Sequence, residues 1–182
     1  MKTNHKDKSL AKKVLLSVVA AGVMSGFVLT AEAADIVHED GKTYTYNAVV
    51  AGKVTAHKGS VIELIDGKFT SIKEAHVDPD DDRVGYADVS AESGGAESKI
   101  VATNAEFKGE VHASTGGTII LNGGSVTSGT FYDKDGNSIE YYPTEIGSRG
   151  KGAYVELNKV KIYSNLGAFE GGVLTVNDSN VN

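Results

Sequence analysis

Apolar residues alternate with polar ones in short runs along most of the chain, and the runs recur at a fixed spacing. Ile62/Leu64, Ile100/Ala102, Ile119/Leu121, Val155/Leu157 and Leu174/Val176 each bracket one residue of the other face: Glu63, Val101, Ile120, Glu156 and Thr175. A period of two predicts strands with one face in and one face out. Residues 52–71 and 109–128 match without a gap at Gly52/Gly109, Val54/Val111, Ala56/Ala113, Ile62/Ile119 and Leu64/Leu121, 57 residues apart. The smaller step is 18–19 residues: residues 98–109 lie 38 after the first copy, Leu157 lies 36 after Leu121, and Val176 lies 19 after Leu157.

A repeat near this length is a solenoid, whose units have no core alone and are stable only against one another. Each unit reads V-x-A, then a Gly-rich corner, then I-x-L, a second corner, and one more inward residue: Phe69, Phe107, Val126, Ile162 or Val181. Leu166 and Ala168 recur at the place of Val54 and Ala56. Three short strands per unit predict an all-β, right-handed parallel β-helix of six or seven coils. Leucine-rich repeats run to 20 residues or more on a Leu-rich frame, and Leu is too rare here for them. Residues 35–50, with Tyr44 and Tyr46 in alternation, are expected to begin the stack and cover its first coil.

Two stretches break the period and occupy slots where a coil is due. Residues 77–95 carry the acidic run Asp78-Pro79-Asp80-Asp81-Asp82, and residues 131–150 predict a hairpin of Phe131-Tyr132 and Ile139-Glu140-Tyr141 around Asp135-Gly136. Both are read as loops or excursions from irregular coils.

The N-terminus changes the picture. Lys2, Lys6, Lys8, Lys12 and Lys13 precede a 16-residue apolar run from Val14 to Leu29 and the small-x-small Ala31-Glu32-Ala33. This predicts a secretory signal peptide over 1–33, too short to span a bilayer. The remainder, 34–182, has 13 basic and 22 acidic residues, a net charge of −9, which repels nucleic acid and anionic lipid. It has no cysteine, so an exported chain of this size must be held by repetitive pairing rather than disulfides.

Candidate chemistry is sparse. The acidic run could attract calcium, but a charge run alone reads as a solvated loop. Asp133 to Ser138 begins like an EF-hand loop, yet Ser138 stands where Gly is needed and Thr144 where Glu is needed. His38, His57 and His76 are spaced 19 and 19 and would form a column if the register held. There is no G-x-S-x-G and no H-E-x-x-H. The outward ladder Glu63, Val101, Ile120, Glu156, Thr175 carries no acid–base cluster, and the two arginines, Arg83 and Arg149, sit in the irregular stretches. No catalytic residue, metal ligand or cofactor site is predicted.

The Lys-rich signal region and the coils G-G-T-I-I-L-N-G-G-S-V (116–126) and G-G-V-L-T-V-N-D-S-N-V (171–181) resemble the N-terminal part of an autotransporter passenger, the type V secreted proteins of bacteria with outer membranes. The resemblance implies a pectin lyase-like β-helix. It also implies export to the cell surface through an outer-membrane β-barrel translocator, its own or separate, and contact with host or neighbour-cell ligands. The Gly-Asp-Ser-Gly motif of the family's proteases is missing. No barrel follows, and the chain stops in mid-coil after Val181, so it is expected to be a fragment of a longer passenger whose uncapped last coil associates with other chains. The leading expectation is a structural or adhesive surface module. The alternative is a carbohydrate-active β-helix enzyme of the polysaccharide lyase or hydrolase kind, which a patch of carboxylates with Lys or Tyr on one strand face would favour.

Overall fold

A computed structural model describes residues 35–77, 84–133, 135–139 and 144–182. The signal-peptide region 1–33, the acidic run Asp78–Asp82 and Arg83 lie outside the described residues. Among the described residues there is no helix.

The fold is a parallel β-helix of three sheets, each with one strand from every coil. The first sheet stacks Ile36–His38, Val54–His57, Val84–Gly94, Glu110–Ser114, Glu145–Arg149 and Asn165–Phe169 in that order. The second stacks Thr43–Asn47, Val61–Ile65, Lys99–Thr103, Thr118–Asn122, Tyr154–Asn158 and Val173–Asn177. The third stacks Val50–Ala51, Lys68–Phe69, Glu106–Lys108, Ser125–Thr127, Lys161–Tyr163 and Asn180–Val181. Six coils therefore make a rod on the order of 25 Å long at the usual strand spacing. Crossovers between parallel neighbours take the right-handed sense in nearly all proteins.

The inward ladders are those the alternation predicts. Ile62, Ile100, Ile119, Val155 and Leu174 lie in register, as do Leu64, Ala102, Leu121, Leu157 and Val176. All are buried through Leu157, whereas Leu174 is half-buried and Val176 39 % exposed, because the sixth coil is packed on one side only. In the third sheet Phe69 stacks on Phe107 with ring centroids 4.9 Å apart, and Val126 and Ile162 continue the column. Glu63 and Glu156 point outward with the rest of their ladder.

The first coil closes the other end of the core with aromatic and polar groups. His38 falls in register with Ala56, so its ring faces the interior, stacks on Tyr44 at 3.5 Å and shares a 2.6 Å hydrogen bond with the Tyr46 hydroxyl. The register that a column of His38, His57 and His76 would need is therefore not present. The coil repeat at that point is 18 residues rather than 19, His57 faces Gly94 instead, and the backbone of His76 runs in an antiparallel hairpin.

The two irregular stretches add no extra levels to the stack. Val61–Ile65 pairs directly with Lys99–Thr103, and Thr118–Asn122 directly with Tyr154–Asn158, although 38 and 36 residues separate them. The extra length leaves sideways at the corner between the third and first sheets and returns. Each stretch also contains a regular strand that reads as loop in the sequence: Val84–Gly94 and Glu145–Arg149 both insert in the first sheet. Their inward residues, Ala91 and Ser93, and Ile146 and Ser148, are mostly small, so the alternation has little hydrophobic contrast.

The excursions pair with each other. Ile72–Val77 runs antiparallel to the first half of Val84–Gly94, and Phe131–Tyr132 lies antiparallel on the other edge of that half and pairs with Ser138–Ile139. A hairpin is thus present with Ser138–Ile139 as its second strand, while Glu140 and Tyr141 of the expected strand lie outside the described residues. Its turn is held by the Asp133 carboxylate, which accepts from the backbone N–H of Asp135 and Asn137 and from the Asn137 amide. Both oxygens of that carboxylate are engaged in the turn. Asp88 ties the two excursions by accepting from the Thr130 N–H at 2.8 Å, and Lys73 Nζ lies 3.9 Å above the Tyr132 ring. The result is a small antiparallel side sheet flanking the first sheet.

Candidate functional site

The outer face of the first sheet, beside this side sheet, gathers the titratable groups that the sequence scatters. Lys53, Glu110 and Glu145 each stand one residue before the first inward position of their strand, at Val54, Val111 and Ile146. They therefore project outward on successive or nearby coils. Glu92 and His112 lie in the next outward column, in register with Thr55, Gly147 and Gly167. His57 begins the column after that, and Arg149 and Phe169 continue it. Glu74 arrives from the side sheet.

Lys53 is the centre of the cluster and only 5 % exposed. Its ammonium donates to Glu74 Oε2 at 2.6 Å and to Glu92 Oε2 at 2.7 Å. Burial alone would lower the Lys53 pKa, but the two charge-assisted bonds raise it on balance. Glu92 shows the reverse balance: burial pushes its carboxyl up, while Lys53, His57 and His112 hold it below the usual carboxylate range. His57 Nε2 lies 3.3 Å from Glu92 Oε1, but the ring is not aligned for a hydrogen bond, so the contact is one of charge when the ring is protonated.

Glu110 is the outlier. Burial first, then the negative charges of Glu145, Glu74 and Glu92, push its carboxyl up to about 7, with Lys53 offsetting part of the effect. Burial also raises Glu145, against the pull of Arg149. The Glu145 carboxylate fills the space above two glycines of the floor: a Cβ on Gly147 would meet Oε1 at 2.8 Å, and one on Gly167 would meet Oε2 at 3.1 Å. Arg149 lies 5.1 Å from the centre of the Phe169 ring. The face thus holds a carboxyl pushed up to about 7, a carboxylate held low at Glu92, a buried ammonium and two imidazoles. That is the inventory of proton transfer. Among the described residues no three His, Asp or Glu side chains converge closely enough to hold a metal ion.

The sign of the pH effect follows from the raised pKa. Between the ordinary carboxyl value of 4.5 and about 7, the unfolded chain has lost the Glu110 proton and the folded chain keeps it. Stability falls as pH rises through that window, by about 3 kcal/mol in total for a shift of this size. Glu110→Gln removes the cost, so the variant is expected to melt higher than the wild type at pH 8 and level with it at pH 5. Calorimetric melting curves at the two pH values check this, and a variant that melts lower at pH 8 would count against it.

Sequence reasoning inspected the outward ladder of the second sheet and missed this one. The available signal was the residue before each V-x-A-type strand: Lys53, Glu110 and Glu145 occupy one structural position. No family model, curated protein or solved structure matches the chain.

Proposed function

We propose that the chain is an exported β-helical passenger segment, displayed at the cell surface by an outer-membrane β-barrel translocator, and that it serves as a rigid structural or adhesive module. The observation that carries this reading is the stacking of six coils in three parallel sheets, in register but for a shift at Glu110/Val111 of the first sheet. Such a rod keeps its length without a globular core and offers long outward ladders for contact. The signal-peptide pattern, the acidic surface and the absence of cysteine support export. Antibody raised against residues 35–182 is expected to label intact source cells, and protease treatment of those cells should abolish the label. Label that appears only after lysis would refute surface display.

The Lys53–Glu74–Glu92–Glu110–Glu145 face favours a second reading, a carbohydrate-active enzyme of the β-helix type. Carboxylates with a lysine on one strand face are the feature that separates such an enzyme from a bare stalk. Glu110 would keep a proton to give, and ionised Glu92 could accept one. Release of reducing ends from acidic polysaccharides, lost in Glu110→Gln, is the expected result under this reading. No release from a broad polysaccharide panel leaves the stalk as the whole function.

A further inference from the structure

The corner between the second and third sheets repeats one backbone device on every coil. Ala48, Asp66, Asn104, Gly123, Lys159 and Asp178 all adopt positive φ, between 47° and 74°, and form a vertical column. Backbone bonds tie the column together, from Asn104 N–H to Asn122 O at 2.9 Å and from Gly123 N–H to Asn158 O at 2.7 Å. Five of the six carry a side chain. Gly123 does not, and a groove of about 720 Å3 lies along this part of the column, over three coils. Asn104 leans toward it: a Cβ on Gly123 would lie 2.7 Å from Asn104 Oδ1.

The lining residues are all polar or glycine, with carbon atoms making up about half of the exposed surface. One wall is an amide ladder in which Asn158 Nδ2 donates to Asn122 Oδ1 at 2.9 Å and Asn177 Nδ2 to Asn158 Oδ1 at 2.8 Å. The other wall is the outward register Glu106, Ser125, Lys161 of the third sheet. Glu106 is already paired with Lys68 at 3.1 Å. Lys159 and Lys161 are exposed, and among the described residues neither has a carboxylate within ion-pair distance. An otherwise acidic protein thus places two uncompensated ammonium groups beside fixed amides and a hydroxyl.

We infer that this groove binds one anionic sugar unit of an acidic glycan. The lysines would face its carboxylate or sulfate, and the Asn104 amide, the Asn122 Nδ2 group and Ser125 its hydroxyls, since Asn158 donates both its amide hydrogens to Asn122 and Glu156. The groove has no aromatic platform among its lining residues, so charge and hydrogen bonds rather than ring stacking would supply the affinity. A size of several hundred cubic ångströms is within the range of small-ligand sites. The inference rests on the adhesive reading and gives it a ligand class. Cell labelling tests display independently of any glycan, so the two can fail separately.

Titration calorimetry with a heparin-derived hexasaccharide, a neutral dextran oligosaccharide and sodium sulfate alone provides the test. The hexasaccharide is expected to bind, more weakly as salt rises, and at least about tenfold tighter than either control, a gap of 1.4 kcal/mol. Lys159→Glu with Lys161→Glu should weaken it by about tenfold or more. Gly123→Asn should do the same by placing a side chain in the groove and displacing the Asn104 amide. Asn tolerates positive φ, as Asn104 shows one coil away, so circular dichroism and the melting temperature should be preserved. Three outcomes overturn the inference. They are hexasaccharide binding unchanged in both variants, sulfate alone binding as tightly as the hexasaccharide, or loss of binding in Gly123→Asn without loss in the lysine variant.

Discussion

Lys53→Ala is expected to destabilise the protein by about 3 kcal/mol at pH 8, the largest effect of any single charge among the described residues. Lys53 is 5 % exposed and compensates Glu74 and Glu92 at 2.6 and 2.7 Å, with Glu110 and Glu145 close enough to feel one another. Removing it leaves several carboxylates facing each other across a half-dry surface. Breaking a buried pair in this way costs roughly 3–5 kcal/mol. The lower end applies here, because the Glu74 and Glu92 side chains keep 36 % and 29 % of their exposure and water screens them. For a domain of this size that is a fall in melting temperature of roughly 6–12 °C.

A second variant separates charge from packing. Lys53→Met retains the apolar stem, so a loss equal to that of the alanine variant assigns the effect to the ammonium. The cost should also shrink at pH 5. Without Lys53 the Glu92 carboxyl loses the charge that holds it down and rises, so acid relieves part of the repulsion. Urea titrations of the three proteins at pH 5 and 8 give the answer. A Lys53→Met protein as stable as the wild type at both values would mean that the cluster contributes nothing to the fold.

The same cluster shows where reading a chain by its periodicity stops. Inward positions write themselves into a solenoid sequence, because each apolar residue must rest on another of similar shape in the next coil. Ile62, Ile119 and Val155 recur for that reason, and so do Phe69 and Phe107. Outward positions carry no such constraint, so Lys53, Glu92, Glu110 and Glu145 share no motif although the stack brings them to one face. Glu74 was beyond reach altogether. Its place beside Lys53 depends on the hairpin Ile72–Val77/Val84–Val89, which folds back at right angles to the repeat logic. The fold was also mis-stepped at this point. A 57-residue offset divides evenly by 19, which suggested three levels, but the excursion supplies one of those lengths sideways and only two levels separate the copies.

Leu121→Ala is the companion prediction for the core, with an expected loss of about 3–4 kcal/mol. Leu121 is 1 % exposed and sits in register between Ala102 below and Leu157 above. Because Ala102 is already small, truncation sets two alanines one above the other, and the space has no long side chain on its lower side to collapse into it. Lost transfer energy and an unfilled cavity then add. Val176 occupies the same column two levels further on, half open to solvent, and Val176→Ala should cost less than about 1 kcal/mol. A steep fall from the middle of the column to its end is what nearest-neighbour stacking requires, since each coil is held by the two beside it. Hydrogen exchange in the Leu121 variant should therefore quicken first in Lys99–Thr103 and Tyr154–Asn158, the strands paired with it, and later in Thr43–Asn47. Equal losses at Leu121 and Val176, or uniform exchange along the rod, would show that the coils fold as one body rather than as a stack.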